Sequence, residues 1–305
     1  MTGLVYAVAD YLPLAADLCR LGGLEAGHLE RKTFPDGERY LRVCDELDGR
    51  DVVLVAGTVS DQATLELYDL AFAIVTQGAR RLTMVVPWYG YATMERAGHP
   101  GDVVTAKTRA HLLSSLPLAS TGNRILLLDL HSEGIPHYFD GRICAVHVYG
   151  SAFVSAAARR LFPDGFVLAA TDAGRAKWVE SLANHLGVNA SFVFKRRLSG
   201  SETEVTAVSA QVEGHDVIVY DDMVRTGSSL IGAARAYKAA GARHLAVITT
   251  HGVFPDGALP RLEASGLFEA IVCTDSHPNA RRLASDFLTV ESCAPLFLPH
   301  LQEHQ

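Results

Sequence analysis

Residues Val217 to Ser229 of this 305-residue chain read VIVYDDMVRTGSS. An apolar run, Val217 to Tyr220, delivers two adjacent carboxylates, Asp221 and Asp222. Thr226, Gly227, Ser228 and Ser229 follow, ahead of a helix-like pattern from Leu230. Small hydroxyl residues around a glycine at a helix start make an anion cradle, because backbone N–H groups and the helix dipole point the same way. Two acids beside such a cradle repel an anion unless it also carries groups that carboxylates bind. A sugar phosphate meets both demands: its hydroxyls donate to the acids while its phosphate sits on the amides. The string also suits an acidic turn before a Ser-capped helix, but the spacing favours a ribose 5-phosphate site at Asp221, Asp222, Thr226, Gly227, Ser228 and Ser229.

Composition bounds the rest. The length suffices for two domains of ordinary size, and 49% apolar with 20% charged residues is the balance of a soluble globular enzyme. A formal charge of −7 argues against nucleic acid as a partner, since a phosphate backbone demands basic surface. Small phosphorylated ligands stay open. Cys19, Cys44, Cys144, Cys273 and Cys293 form no CxxC spacing and read as small buried hydrophobes in a reducing compartment. No apolar run is long enough for a membrane span, and MTGLVYAVAD lacks the basic flank of a signal peptide. The expected location is cytoplasmic.

The elements that must position the acids come in two copies. Asp51 to Gly90 and Asp216 to Gly252 each give a β-branched strand, a Thr/Ser-bearing loop, an amphipathic helix, a Gly-Ala-Arg stop and a second strand. Gly78 and Gly241 are natural residues just past a helix end, where the left-handed conformation is needed. Strand–helix–strand units imply parallel strands, and Ile125 to Leu130 and Phe166 to Ala170 fit the same sheets. Helical periods cover Ala152 to Leu161 and Ala176 to Leu186. The predicted fold is α/β, with two duplicated doubly wound parallel-sheet domains, 1–147 and 148–305, and an extreme C-terminus able to pack back on the first. Only the second copy carries the acid pair; the first has Gly57-Thr58-Val59-Ser60-Asp61 in its place. One half is expected to read the sugar phosphate and the other something else.

The acid pair with Thr-Gly-Ser-Ser resembles the binding loop for phosphoribosyl pyrophosphate (PRPP) shared by type I phosphoribosyltransferases and PRPP synthetases. Further strings extend the resemblance to PRPP synthetases over nearly the whole chain: FPDGERYLRV from Phe34, PWYGYATMERAGHPGDVVTAKT from Pro87, ILLLDLHSE from Ile125, LAATDAGRAKWVE from Leu168 and FKRRLSGSETEV from Phe194. The domains are therefore expected to have the type I phosphoribosyltransferase-like fold. The resemblance implies that Phe34 stacks on adenine while Asp36 and Glu38 bond the nucleoside, often across a subunit interface, hence a homo-oligomer. Alone, Pro35-Asp36-Gly37 reads as a tight turn. It implies Arg96 on the triphosphate, His131 on ATP and on Mg2+, and Asp172 on a second Mg2+ and the ribose diol. By its residue type alone, His131 at a strand end reads as a hydrogen-bonding group. Lys195 and Arg197 align with catalytic-loop cations that neutralise charge on the transferring diphosphoryl group; three adjacent cations otherwise read as a solvated face.

The chain also departs from the pattern. Thr171 stands where proline is usual, Ala173-Gly174-Arg175 replaces a glycine-rich run, and Arg225 stands where many synthetases carry an acid. Thr93 and Met94 with TMER, and THGVFP from Thr250, resemble the class II enzymes best known from plants, which accept a wider range of triphosphates. The implied activity is transfer of the β,γ-diphosphoryl group of ATP to O1 of ribose 5-phosphate, giving PRPP and AMP. The alternatives are a type I phosphoribosyltransferase, which lacks the Phe34, His131 and Lys195 strings, or a catalytically silent regulatory homologue.

Overall fold

The computed structural model describes residues 3–171, 173–197, 203–208 and 212–302, with the backbone alone at 173, 194–197 and 203–207. The chain divides into two compact units, Met1–Tyr149 with Ser292–Gln305, and Gly150–Glu291. The first unit holds β1 (Leu4–Ala7), α1 (Leu12–Gly22), β2 (Glu25–Ala26), β3 (Leu29–Thr33), β4 (Arg39–Val43), β5 (Asp51–Val55), α2 (Asp61–Thr76), β6 (Arg81–Val86), α3 (Thr105–Ser114), β7 (Asn123–Leu128) and β8 (Ile143–Val148). Six of these strands form a parallel sheet in the order β2-β1-β5-β6-β7-β8, while β3 and β4 pair as a separate antiparallel ribbon. The apolar runs VVLV, TMVV and ILLL are buried throughout, as strands covered on both faces must be. The C-terminal segment completes this core: Cys293, Ala294 and Phe297 are buried in it, and Arg124 donates to the His300 carbonyl at 3.0 Å.

The second unit runs α4 (Ser151–Leu161), β9 (Val167–Ala170), α5 (Ala176–Leu186), β10 (Asn189–Arg197), β11 (Thr203–Val208), β12 (Val217–Val224), α6 (Ser228–Ala239), β13 (Leu245–Gly252), α7 (Ala258–Ala264), β14 (Ile271–Thr274), α8 (Pro278–Leu283) and β15 (Leu288–Glu291). Helix α9 (Ala294–Gln302) then returns to the first unit. The sheet order is β11-β10-β9-β12-β13-β14-β15, parallel except for the β10–β11 pair. Chain order runs one way from β9 to β11 and the other way from β12 to β15. The direction therefore reverses between β9 and β12, the place where open α/β sheets bind ligands.

The duplication reaches individual bonds. In the first copy Arg80 forks onto Asp51, Nε to Oδ1 at 2.9 Å and Nη2 to Oδ2 at 2.6 Å. In the second, Arg243 forks onto Asp216, at 2.7 and 2.5 Å. Gly49 N–H donates to the Gly78 carbonyl at 3.0 Å, and Gly214 N–H to that of Gly241 at 2.9 Å. Gly78 and Gly241 take φ of 91° and 90° just past α2 and α6. A Cβ would meet Asp48 or Glu213 at under 3.0 Å, so both conformation and space require glycine. These fixtures tie each strand pair at its amino end, leaving the carboxyl end for chemistry.

Three expectations change. Strand β12 does not stop at Tyr220: it leaves β9 there but stays paired with β13 through Val224, so both acids lie within a strand. Lys195, Arg196 and Arg197, which the resemblance assigns to a catalytic loop, lie inside β10. Of the cysteines, Cys273 and Cys293 are buried, but Cys144 is exposed and Cys19 and Cys44 are intermediate. Cys144 sits on β8, an edge strand of its sheet, with one side turned outward.

Asp216 is 7% exposed, and its hydrogen bond from Arg243 holds its pKa below the ordinary carboxylate value. A depressed folded-state pKa adds stability that is present above the ordinary carboxylate value, near about 3.9, and is lost as pH falls through the folded value. Arg243→Gln should lower the urea midpoint at neutral pH, and the gap from wild type should shrink as pH drops below about 4. A gap independent of pH would show that the ion pair is not its source.

Candidate active site

The reversal between β9 and β12 sets the surroundings of the acid pair. Ala170 ends β9 opposite Tyr220, so Thr171 and the turn that follows lie beside Asp221 and Asp222. Asp221, half-buried, accepts the Thr171 hydroxyl at 3.2 Å and the Asp222 N–H at 3.1 Å. Asp222 is 2% exposed and pairs with the Arg175 guanidinium, which sits at the residue before α5. Trp178, one turn into α5, stacks on Tyr220 with centroids 4.1 Å apart and planes at 16°. That contact fixes the start of α5, and with it Arg175, against β12.

The anion cradle is built from the other side. Gly227, with φ 76°, precedes α6 and contributes no side-chain cap. A Cβ there would meet the Leu262 side chain at 2.7–2.9 Å, so the close seat of the turn on α7 requires glycine. Thr226 Oγ1 accepts the Ser228 N–H only at a long 3.5 Å. Thr226, Ser228 and Ser229 are exposed. In the first copy the equivalent helix is closed by its own chain: Ser60 Oγ accepts the Ala63 N–H at 3.0 Å at the start of α2. One helix N-terminus is capped by its N-cap side chain and the other is not.

The end of β13 braces this turn. Val253 and Phe254 N–H groups both donate to the Val224 carbonyl at 3.1 Å, and Arg261 reaches the Thr226 carbonyl at 3.5 Å. His251, 2% exposed, lies with Nδ1 2.8 Å from Ser276 Oγ, whose hydroxyl donates to the Thr250 carbonyl at 3.1 Å. His277 is pushed down to about 4 by burial first, then by His251 and Arg282. It stays neutral and accepts the Asn279 N–H at 3.2 Å to start α8.

In the first unit, Arg96 and His131 follow the neighbouring strands β6 and β7, and Tyr138 ties their segments by donating to the Glu95 carbonyl at 2.5 Å. His131 is exposed. Asp129, before it, is 3% exposed with φ 41°, and the Leu130 N–H donates to His147 Nε2 at 2.9 Å. Arg96 is 85% exposed, 3.5 Å from Glu95. Phe34, Asp36 and Glu38 lie apart, on the exposed tip of the β3–β4 ribbon. The turn there closes by Gly37 N–H to the Phe34 carbonyl at 2.9 Å, with Gly37 at φ 94°, the form expected of a three-residue hairpin loop. Phe34 keeps one face toward the Lys32 ammonium at 5.1 Å and an edge toward Tyr40 at 6.4 Å.

Asp172 lies outside the described residues, as do the side chains of Lys195 and Arg197. The backbone places those two cations opposite Val205 and Thr203 on the β10–β11 hairpin, past a register shift between Phe194 and Lys195. Two grips on the acid pair went unread in the sequence. Thr171 and Arg175 stood out in the sequence only as departures from the family pattern. Their partners lie far along the chain, and only the sheet order joins them.

Comparison with known proteins identifies the family. A model described as the N-terminal domain of ribose phosphate pyrophosphokinase matches residues 4–116, and one for the phosphoribosyl synthetase-associated domain matches residues 169–291. Ribose-phosphate pyrophosphokinase of Synechococcus elongatus is 33% identical over 93% of this chain and 85% of its own length. That of Fusobacterium nucleatum is 32% identical over 96% and 92%. The crystal structure of phosphoribosylpyrophosphate synthetase from Mycobacterium smegmatis superposes with a TM-score of 0.86 at 26% identity, covering 99% of this chain and 98% of that one. The chain belongs to the ribose-phosphate pyrophosphokinase family.

Proposed function

We propose that this protein transfers the β,γ-diphosphoryl group of ATP to O1 of ribose 5-phosphate, releasing AMP and PRPP. The observation that carries the assignment is the junction at β9 and β12, where an acid pair on β12 precedes a helix start with no N-cap side-chain bond. The second unit takes the sugar phosphate: the diol donates to Asp221 and Asp222, and the 5-phosphate sits on the amides of Thr226 to Ser229. Holding the sugar at both ends aims O1 and converts encounter into positioning. The first unit takes ATP, with Arg96 and His131 at its strand ends, while Phe34, Asp36 and Glu38 serve the base and ribose from the ribbon tip of a homo-oligomer. O1 attacks the β-phosphorus and AMP leaves from the other side of that atom. Lys195 and Arg197 counter the charge that builds on the oxygens in flight.

Magnesium is the cofactor that the family resemblance implies. Among the described residues no group of three or more His, Cys, Asp or Glu is placed to hold a metal ion. Such an ion is ordinarily bound through one or two carboxylates plus substrate phosphates; by the family resemblance His131 would serve one Mg2+ beside the triphosphate and Asp172 a second. The metal supplies charge neutralisation on the phosphates. The TMER and THGVFP strings favour class II character and a broad triphosphate range. Among the described residues no helix is long and apolar enough to cross a membrane, and we assign the enzyme to the cytoplasm.

Purified protein with Mg2+, ATP and ribose 5-phosphate should form AMP and PRPP in equal amounts. Pyrophosphate release from PRPP plus a nucleobase, without AMP formation, would move the assignment to a phosphoribosyltransferase. Lys195→Ala should lower kcat by roughly 10²–10³-fold while ribose 5-phosphate affinity holds within about threefold. An equal loss of affinity would place Lys195 in ground-state binding. Asp221→Asn should weaken ribose 5-phosphate binding by about tenfold or more, measured by calorimetry; unchanged affinity would remove Asp221 from the site.

A further inference from the structure

We infer that Arg175 is a built-in counter-ion of the acid pair, which lets ribose 5-phosphate bind the second unit without a divalent cation. The inference rests on the reading of Asp221 and Asp222 as the sugar site. Two adjacent carboxylates next to an anion cradle pose a charge problem that sharpens with burial. Asp222 is 2% exposed, and a carboxylate so enclosed requires compensation. A metal ion is one source of it. Here the protein supplies its own: the Arg175 guanidinium, at 18% side-chain exposure, pairs with Asp222 Oδ2. Arginine keeps its charge at any working pH.

Placement makes this a property of the site rather than of the surface. Arg175 is anchored at the start of α5, whose Trp178 is stacked on Tyr220, the residue before Asp221. Thr171, from the same segment after β9, donates to Asp221. Each acid thus has a grip from across the switch point. Thr171 and Arg175 are also two positions at which this segment departs from the family resemblance. The consequence is electrostatic. With Arg175 in place the pair presents one net negative charge to an arriving phosphate instead of two, and a divalent cation approaching Asp222 meets a positive neighbour. An ionised carboxylate offers about four acceptor sites, more than one guanidinium contact uses, so the pair keeps acceptor capacity for the sugar, most openly at half-buried Asp221.

Titration calorimetry of the full chain with ribose 5-phosphate, without nucleotide, in EDTA and then in Mg2+, tests the inference. Wild-type affinity should agree within about twofold between the two buffers. Arg175→Gln should bind about tenfold or more weakly in EDTA and recover in Mg2+. Arg175→Lys, which keeps a cation and guards against loss of the fold, should hold its EDTA affinity within about fivefold. Wild-type binding seen only with Mg2+ overturns the inference alone, as does a glutamine variant unaffected in EDTA or a lysine variant as Mg2+-dependent as glutamine. No wild-type binding in either buffer overturns the sugar reading and the inference with it.

Discussion

Asp222 is a nearly inaccessible carboxylate whose chain neighbour is a second carboxylate. An uncompensated charge in that position would destabilise the sheet around it. Its partnership with Arg175 sets what surrounds it. The segment after β9 must turn back toward β12, α5 must start where its first turn packs on Tyr220, and β9 must lie next to β12. Those requirements describe the reversal of the sheet order. The place where an open α/β sheet leaves room for a ligand is thus also where this chain buries the Asp222–Arg175 pair.

The two copies show what was kept and what changed after duplication. Both retain the Asp–Arg fork and the left-handed glycine at the amino ends of their central strands, features that stabilise a strand pair whatever it binds. Their carboxyl ends have diverged. In one copy a serine closes the helix start with its own hydroxyl; in the other a glycine leaves the amides without a side-chain cap, and the strand before it delivers acids. The two copies thus share their fixtures at the amino ends of these strands and differ at the carboxyl ends.

Much of this was legible in the sequence because it is local. The Thr-Gly-Ser-Ser string marks the start of α6 by its own backbone demands, and the repeated Gly-Ala-Arg marks the end of both helices. The reading falters where a partner elsewhere in the chain decides. Tyr220 looked like the end of a strand because acids follow it, yet β13 runs on to Gly252 and holds β12 in register through Val224. Lys195 and Arg197 looked like a loop, but β11 returns alongside and makes them part of a hairpin. Arg175 showed as a departure from the family pattern, but nothing near it in sequence shows that Asp222 would lie within reach. Cys144 looked buried by residue type and is exposed by its place on an edge strand.

A crystal structure of the protein soaked with ribose 5-phosphate bears most directly on the central claim, that one pocket pairs acids for a pentose with bare amides for its phosphate. The account predicts the 5-phosphate on the N–H groups at Thr226 to Ser229 and the two ring hydroxyls within hydrogen-bond distance of Asp221 and Asp222. Density for the sugar elsewhere, with that turn vacant and both carboxylates directed away from it, would contradict the account.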